Sequence, residues 1–387
     1  MLFNVQHRDA TTNARAGVLA LNHGAVETPV FMPVGTNATV KAISNEGLER
    51  LGVNLILGNT YHLFLRPGME VIENCGGLHR FMSWPHNILT DSGGFQIFSL
   101  AAFRKIEERG VIFRSHLDGS RFRLSPEDVV DIQQTLGSDI LMPLDVCTSP
   151  EIEERQAAEA VELTTLWARR SRERWRSRAG ESCGQLFGII QGNFFDSLRR
   201  RSAEQLLELQ LPGYAIGGLS VGESFSLFQE YLAISAGLIP RSYPRYLMGV
   251  GTPEYILEAV EQGIDMFDCV FPTRTARNAQ AFTSRGPLSL KTEAVKMDSL
   301  PIDPDCSCEV CRRYSRAYLR HLFKTREILA AMLTTQHNLA FLHNLVNGIR
   351  RSIREGRFRQ FKHQTLERYG ERQRRRATVQ KQLEERS

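Results

Sequence analysis

The chain has 387 residues, 48 Lys+Arg against 43 Asp+Glu for a formal net charge of +5, and 42% hydrophobic residues. These proportions exclude wholesale disorder, collagen and coiled coil, and no apolar run approaches the ~20 residues of a membrane helix. The N-terminal stretch MLFNVQHRDATTNAR shows no basic region followed by an apolar one, so a soluble cytoplasmic protein is expected.

In chain order, eight short apolar runs read as strands: 30–36, 54–60, 87–93, 139–145, 186–192, 213–219, 245–251 and 266–272. They are continuous rather than alternating, as in strands covered on both faces. Helical segments fill the gaps. Ser125-Pro126-Glu127-Asp128 combines a capping Ser, a Pro in the first turn and acids at the positive end of the dipole. Residues 151–178, 195–210 and 224–237 read as helices, and Thr252-Pro253-Glu254 starts another that Gly263 can end. Residues 111–124 read as a hairpin around Asp118-Gly119. Eight strands with helical crossovers predict a (β/α)8 (TIM) barrel of the α/β class, with an open doubly wound sheet as the alternative. The expected division is a catalytic barrel over 1–281, a zinc-binding subdomain with closing helices over 282–349, and a basic segment over 350–387.

Cys306, Cys308 and Cys311 form C-x-C-x-x-C among polar neighbours. Structural zinc takes four tetrahedral thiolate or imidazole ligands, so one distant partner is needed. His321, His337 and His343 are available; His337 is favoured, projecting from the first turn of a helix whose stripe is Leu342, Leu345, Val346 and Ile349. Four protein ligands leave no open position, so such a zinc holds structure. Cys75, Cys147, Cys183 and Cys269 are expected as free thiols.

Active sites of (β/α)8 enzymes lie at the C-terminal ends of the strands. The polar residues expected there are Asn59, Asp91, Asp145, Gln191, Gly217-Gly218, Gly249-Val250-Gly251 and Asp268, the last set between Phe267 and Cys269. Carboxylates in apolar strands are costly unless paired or functional. Several acids on one rim suit chemistry at an anomeric carbon, where one carboxylate attacks and another moves a proton. There is no G-x-x-x-x-G-K-[ST], no G-x-G-x-x-G and no strand lysine for a Schiff base. After the last strand, Thr273, Arg274, Arg277 and Asn278 supply hydroxyl, guanidinium and amide groups of the kind that hold RNA phosphates or base edges.

DSGGFQ at 91–96, LDVC at 144–147, GIIQG at 188–192, GGLSVGE at 217–223, FDCVFPTRTARN at 267–278 and CSCEVC at 306–311 occur in this order. The set, spread over essentially the whole chain, resembles the tRNA-guanine transglycosylases of bacterial type. The resemblance implies a zinc-bearing barrel that replaces guanine 34 of tRNAs with GUN anticodons (Asp, Asn, His, Tyr) by 7-aminomethyl-7-deazaguanine (preQ1), in queuosine biosynthesis. It places the nucleophile on Asp268 and the general acid/base on Asp91. Base recognition falls on Asp145, Gln191 and the backbone of Gly218 and Leu219, with Phe95 and Met248 stacking on the base. Anticodon-loop contacts fall on Arg274 and Arg277 with Thr273 between Pro272 and Arg274. Zinc, one per subunit, falls on Cys306, Cys308, Cys311 and His337, and a homodimer is implied.

Three positions depart from the family pattern. Val146 stands where many members carry Glu, Phe95 where some carry Tyr, and Val221 where the eukaryotic catalytic subunit usually carries Gly to admit queuine. Val221 favours the smaller base. The archaeal position-15 enzyme has an added RNA-binding domain for which this chain is expected to be too short. A non-catalytic RNA-binding paralogue would have lost the acids at 91 and 268, and a lyase barrel would show a mouth lysine or metal site. Residues 350–387 hold 13 Lys+Arg and 5 Asp+Glu, a local balance of +8 that leaves −3 elsewhere. This segment is expected to add salt-dependent attraction for tRNA.

Overall fold

A computed structural model describes residues 2–100, 103–178 and 184–370. Eight parallel strands, β1 (Val30–Gly35), β2 (Leu55–Gly58), β3 (Asn87–Thr90), β4 (Ile140–Leu141), β5 (Gln185–Ile190), β6 (Gly213–Ile216), β7 (Arg245–Leu247) and β8 (Met266–Cys269), pair in sequence order. The last closes on the first, with Phe267 opposite Phe31. The barrel expected from the sequence is therefore present, and all eight predicted runs supply its strands. Met32, Leu57, Leu89, Ile140, Phe187 and Met266 fill the interior. Helices begin where the caps predict: Ser125 Oγ accepts from Asp128 N at 3.1 Å while Asp128 Oδ2 accepts from Ser125 N at 2.8 Å, a capping box worth about 1 kcal/mol.

One strand is much shorter than its apolar run. β4 stops at Leu141 because the Gln133 side chain takes the place of a neighbouring strand. Gln133 Nε2 donates to Met142 O at 2.8 Å and Gln133 Oε1 accepts from Met142 N at 2.9 Å. Pro143 then offers no donor, and the chain turns away before Asp145.

Three features were not read from the sequence. An antiparallel sheet of Phe3–Arg8, Arg15–Leu21 and Gly24–Thr28 precedes the barrel, and its Phe3, Leu19 and Val26 close the apolar interior at the N-terminal ends of the strands. Short helices fill 60–82. The predicted hairpin is present as Gly110–Arg114 and Arg121–Leu124, with an added strand at Arg104–Glu107.

Beyond the barrel, the helical stretch splits into Arg316–Lys324 and Ile328–Arg354, with Arg326 at φ 61° between them. His337 thus sits well inside the long helix, not in its first turn. Four cations in the described part of the basic segment pair with acids elsewhere in the molecule. Arg350 and Arg354 pair with Glu27, Lys362 with Glu258 and Glu261, and Arg368 with Asp305. Residues 371–387, and Cys183, lie outside the described residues. Cys75, Cys147 and Cys269 are free thiols. Among the described residues no helix is long and apolar enough to cross a membrane.

Candidate active site

Each acid reaches the mouth on a different strand end. Asp91 follows β3 directly and is buried. Its Oδ1 accepts from Thr60 N at 2.9 Å and Gly93 N at 3.2 Å, and its Oδ2 accepts from the Asn59 amide. Asn59 and Thr60 are in these positions because β2 ends at Gly58 and a helix starts at Thr60. Burial, with the charge of Asp268 adding to it, outweighs these donors and pushes the Asp91 carboxyl up to about 6. A group poised there both gives and takes a proton near neutrality.

Asp268 lies on β8, its two hydrogen bonds meeting one oxygen. Tyr246 donates its hydroxyl to Asp268 Oδ1 at 2.6 Å and Gly249 N donates at 2.8 Å. Burial holds this carboxyl above its usual range as well. Gly249, at φ 76°, turns its amide toward the acid in a conformation that favours glycine. Tyr246 was not singled out in the sequence; it is an inward residue of β7, visible only once the register with β8 is known.

Asp145 and Gln191 form one unit. Gln191 Nε2 donates to Asp145 Oδ2 at 2.8 Å, and Ser92 Oγ reaches Oδ1 at 3.4 Å. Burial raises the Asp145 carboxyl. The glycines beside them are positions of close approach: a Cβ on Gly94 would lie 2.9 Å from Asp145 Oδ1, and one on Gly217 2.7 Å from Gln191 Nε2. Gly218, at φ 68°, and buried Leu219 continue this wall. Beneath it the buried Arg199 donates to Asn193 O at 2.6 Å and to Gly217 O at 3.2 Å. Above it the Glu223 carboxylate takes the amides of Ser220, Val221 and Gly222. Neither Arg199 nor Glu223 was named from the sequence, since ordinary charged residues carry no mark of such partners.

Phe95 is 56% exposed on the helix Gly94–Leu100, and Met248 is half-buried just past β7. The segment after β8 is a helix, Phe271–Arg277, rather than a loop. Arg274 is exposed on it, while Arg277 is half-buried and donates to Thr273 O at 2.9 Å. Thr273, expected among the RNA contacts, is buried and donates its hydroxyl to Val270 O at 3.2 Å, so it shapes the turn that presents Arg274.

The cysteine cluster lies about the barrel's C-terminal subdomain. His337 Nδ1 is 3.5 Å from Cys308 Sγ and 3.3 Å from Cys311 Sγ, and Cys306 completes the group. His337 Nε2 lies 2.7 Å from Phe282 O. That carbonyl can only accept, so Nε2 carries a proton and Nδ1, which faces the sulfurs, is the nitrogen a metal ion would take. Hydrogen bonding from Cys306 and Cys311 pulls the Cys308 thiol far below its usual range. The donor set fits a tetrahedral metal ion held by four protein ligands. His321 is exposed on the preceding helix, and His343 packs against Gly52.

The raised pKa of Asp91 bears on stability. The folded value, about 6, lies above the ordinary 3.8, so the folded state binds the extra proton. The contribution of Asp91 to stability is full below about pH 4 and is lost as pH rises through 6, by at most about 3 kcal/mol. Asp91→Asn removes that loss, with Asn59 turning its amide over to stay paired. The variant is expected to melt above wild type at pH 8, the gap closing toward pH 4. A variant that melts lower at both pH values would contradict this.

A closed barrel with three carboxylates, buried or half-buried, at its mouth, and a Cys3His cluster that could hold a metal ion, define a protein of the (β/α)8 class with an enzyme-like site. A family model described as queuine tRNA-ribosyltransferase matches residues 9–371. The queuine tRNA-ribosyltransferase of Treponema denticola is 52% identical over 368 residues, covering 95% of this chain and 97% of the relative. That of Caldanaerobacter subterraneus is 52% identical over 367 residues, covering 95% and 97%, and that of Borrelia hermsii 50% over 370, covering 96% and 99%. The chain belongs to the queuine tRNA-ribosyltransferase family.

Proposed function

We propose that this chain exchanges guanine 34 of GUN-anticodon tRNAs for 7-aminomethyl-7-deazaguanine through a covalent Asp268–ribose intermediate, in queuosine biosynthesis. The observation that supports it is that Asp91 and Asp268 end up at one mouth, each held by defined donors: Thr60 N, Gly93 N and the Asn59 amide on Asp91, and Tyr246 and Gly249 N on one oxygen of Asp268. Tyr246 and Gly249 occupy Oδ1 of Asp268, which leaves Oδ2 to attack ribose C1′. As the new C–O bond forms, the bond from C1′ to guanine breaks, and Asp91 gives the departing base its proton. The incoming base then attacks C1′, Asp268 leaves as carboxylate, and Asp91 takes the proton of the incoming ring nitrogen.

Asp145, as an anion, accepts parallel N–H bonds from the guanine-like edge. Gln191 and the backbone of Gly218 and Leu219 read the rest, while Phe95 and Met248 stack on the faces of the extruded base. Arg274 and Arg277 hold the anticodon loop. Cys306, Cys308, Cys311 and His337 hold one zinc, which cross-links the subdomain and takes no part in chemistry. A separate zinc-binding unit over 282–349 is supported by the small apolar cluster of Leu290, Val295, Ile302, Val310 and Leu319, while the helix Ile328–Arg354 runs through the boundary expected between 349 and 350. Exposed Met297, Ile328 and Met332 beside that cluster offer apolar surface to a second copy, in keeping with a homodimer.

Labelled guanine is expected to enter tRNA(Asp, Asn, His, Tyr) without ATP, and unlabelled preQ1 is expected to chase it out irreversibly. No incorporation into these tRNAs, or equal incorporation into tRNAs with other anticodons, would refute the assignment.

A further inference from the structure

At the opposite end of the barrel from the proposed active site, three side chains converge from three separate elements. His23 is at the tip of the hairpin joining Arg15–Leu21 to Gly24–Thr28. His79 lies in the helix Leu78–Met82. Asp139 immediately precedes β4. His23 Nδ1 is 2.7 Å from Asp139 Oδ1, and His79 Nε2 is 3.4 Å from Asp139 Oδ2. The two imidazoles stack with ring centroids 3.7 Å apart, and one ligand atom from each of the three residues falls within 4.8 Å of the others.

We infer that His23, His79 and Asp139 form a second metal site, for a divalent transition ion of the zinc type, that fastens the N-terminal sheet to the lower rim of the barrel. Two imidazoles and a carboxylate are the borderline donors such an ion takes. The carboxylate is wholly buried, and a buried anion beside two stacked rings calls for a positive partner. The short contact from His23 Nδ1 takes up only one of the two carboxylate oxygens. The buried Nε2 of His79 has no hydrogen-bond partner, and its separation from Asp139 is long for one. A metal ion would engage both ring nitrogens at once.

The site is also braced as a metal site is. Asp139 Oδ2 accepts from Ile88 N at 2.8 Å. His23 N donates to Asn87 Oδ1 at 3.1 Å, and Asn87 Nδ2 donates to Gly24 O at 3.1 Å. The hairpin tip and the start of β3 are thus held before any ion arrives. The His23 side chain is 36% exposed, so solvent reaches the site and can fill the remaining coordination positions. On binding, any proton held on the ligand nitrogens passes to solvent.

The test starts from purified protein whose cysteine site is already filled with zinc. Titration with Co2+ is expected to add one further equivalent. Its visible bands should lack the sulfur-to-metal charge transfer that cobalt in a cysteine site shows. His79→Ala and, separately, His23→Gln are expected to abolish that equivalent while keeping the zinc and the guanine-exchange activity. The melting temperature should rise with added metal in wild type and stay level in both variants. No uptake at submillimolar Co2+, or equal uptake by wild type and both variants, would overturn the inference and leave a proton-sharing His–Asp contact. Since activity is not the readout, this outcome is independent of the assignment of Asp268 and Asp91.

Discussion

Asp268→Ala is expected to reduce guanine exchange on the order of 10⁴-fold, and to leave no RNA adduct that survives denaturation. The size follows from the two-step path. Without the carboxylate, departure of guanine has to proceed with no nucleophile at C1′, and losses of this order accompany removal of a covalent nucleophile. Asp268→Asn is the sharper variant. It keeps the shape that accepts from Tyr246 and Gly249 at Oδ1 but presents a neutral amide to the ribose. Both variants should bind tRNA with little change, because the guanidinium contacts on the helix after β8 remain. Denaturing gels of enzyme mixed with tRNA, beside single-turnover exchange, measure the two quantities. Adduct formation undiminished in Asp268→Ala would move the nucleophile to Asp91.

Removing zinc is expected to lower the melting temperature by about 5–10 °C and to raise KM for tRNA more than it lowers kcat. The first effect is that of a small apolar cluster losing its cross-link. The second follows from the residue after His337. Asn338 Nδ2 donates to Pro272 O at 3.0 Å and to Gln280 O at 3.1 Å, and its Oδ1 accepts from Phe282 N at 2.9 Å. Through this side chain the metal ligand's helix holds both ends of the segment that carries Arg274 and Arg277. Asn338→Ala, with metal retained, should reproduce the KM effect with a smaller thermal loss. A chelated protein with unchanged melting and unchanged KM would refute the structural role.

Much of the architecture was legible because parallel barrel strands are covered on both faces and so appear as unbroken apolar runs. The N-terminal sheet was not. Phe3–Arg8 buries little beyond Phe3, so its sequence carries too few apolar positions to stand out. The end of β4 was misjudged for a different reason: a side chain, Gln133, stands in for a strand, and no periodicity records that. At the mouth, Asp91, Asp145 and Asp268 were legible as acids set in apolar surroundings. Their partners Asn59, Thr60 and Tyr246 became assignable only with the register of neighbouring strands. The charge of the C-terminal segment was legible as a sum, but not that Glu27, Glu258, Glu261 and Asp305 would neutralise its first part.

Those same pairs set an order of events during synthesis. Glu27 leaves the ribosome 323 residues ahead of Arg350, whose guanidinium donates to Glu27 O and, at 2.7 Å, to Pro29 O at the start of β1. The helix Phe358–Tyr369 then joins the helix Pro253–Glu261 through Lys362 and the cysteine loop through Arg368. A nascent chain stalled before residue 350 would hold a first strand without its clasp and a cysteine loop without its strut. Its exposed apolar surface would be a target for chaperones until the last helices emerge.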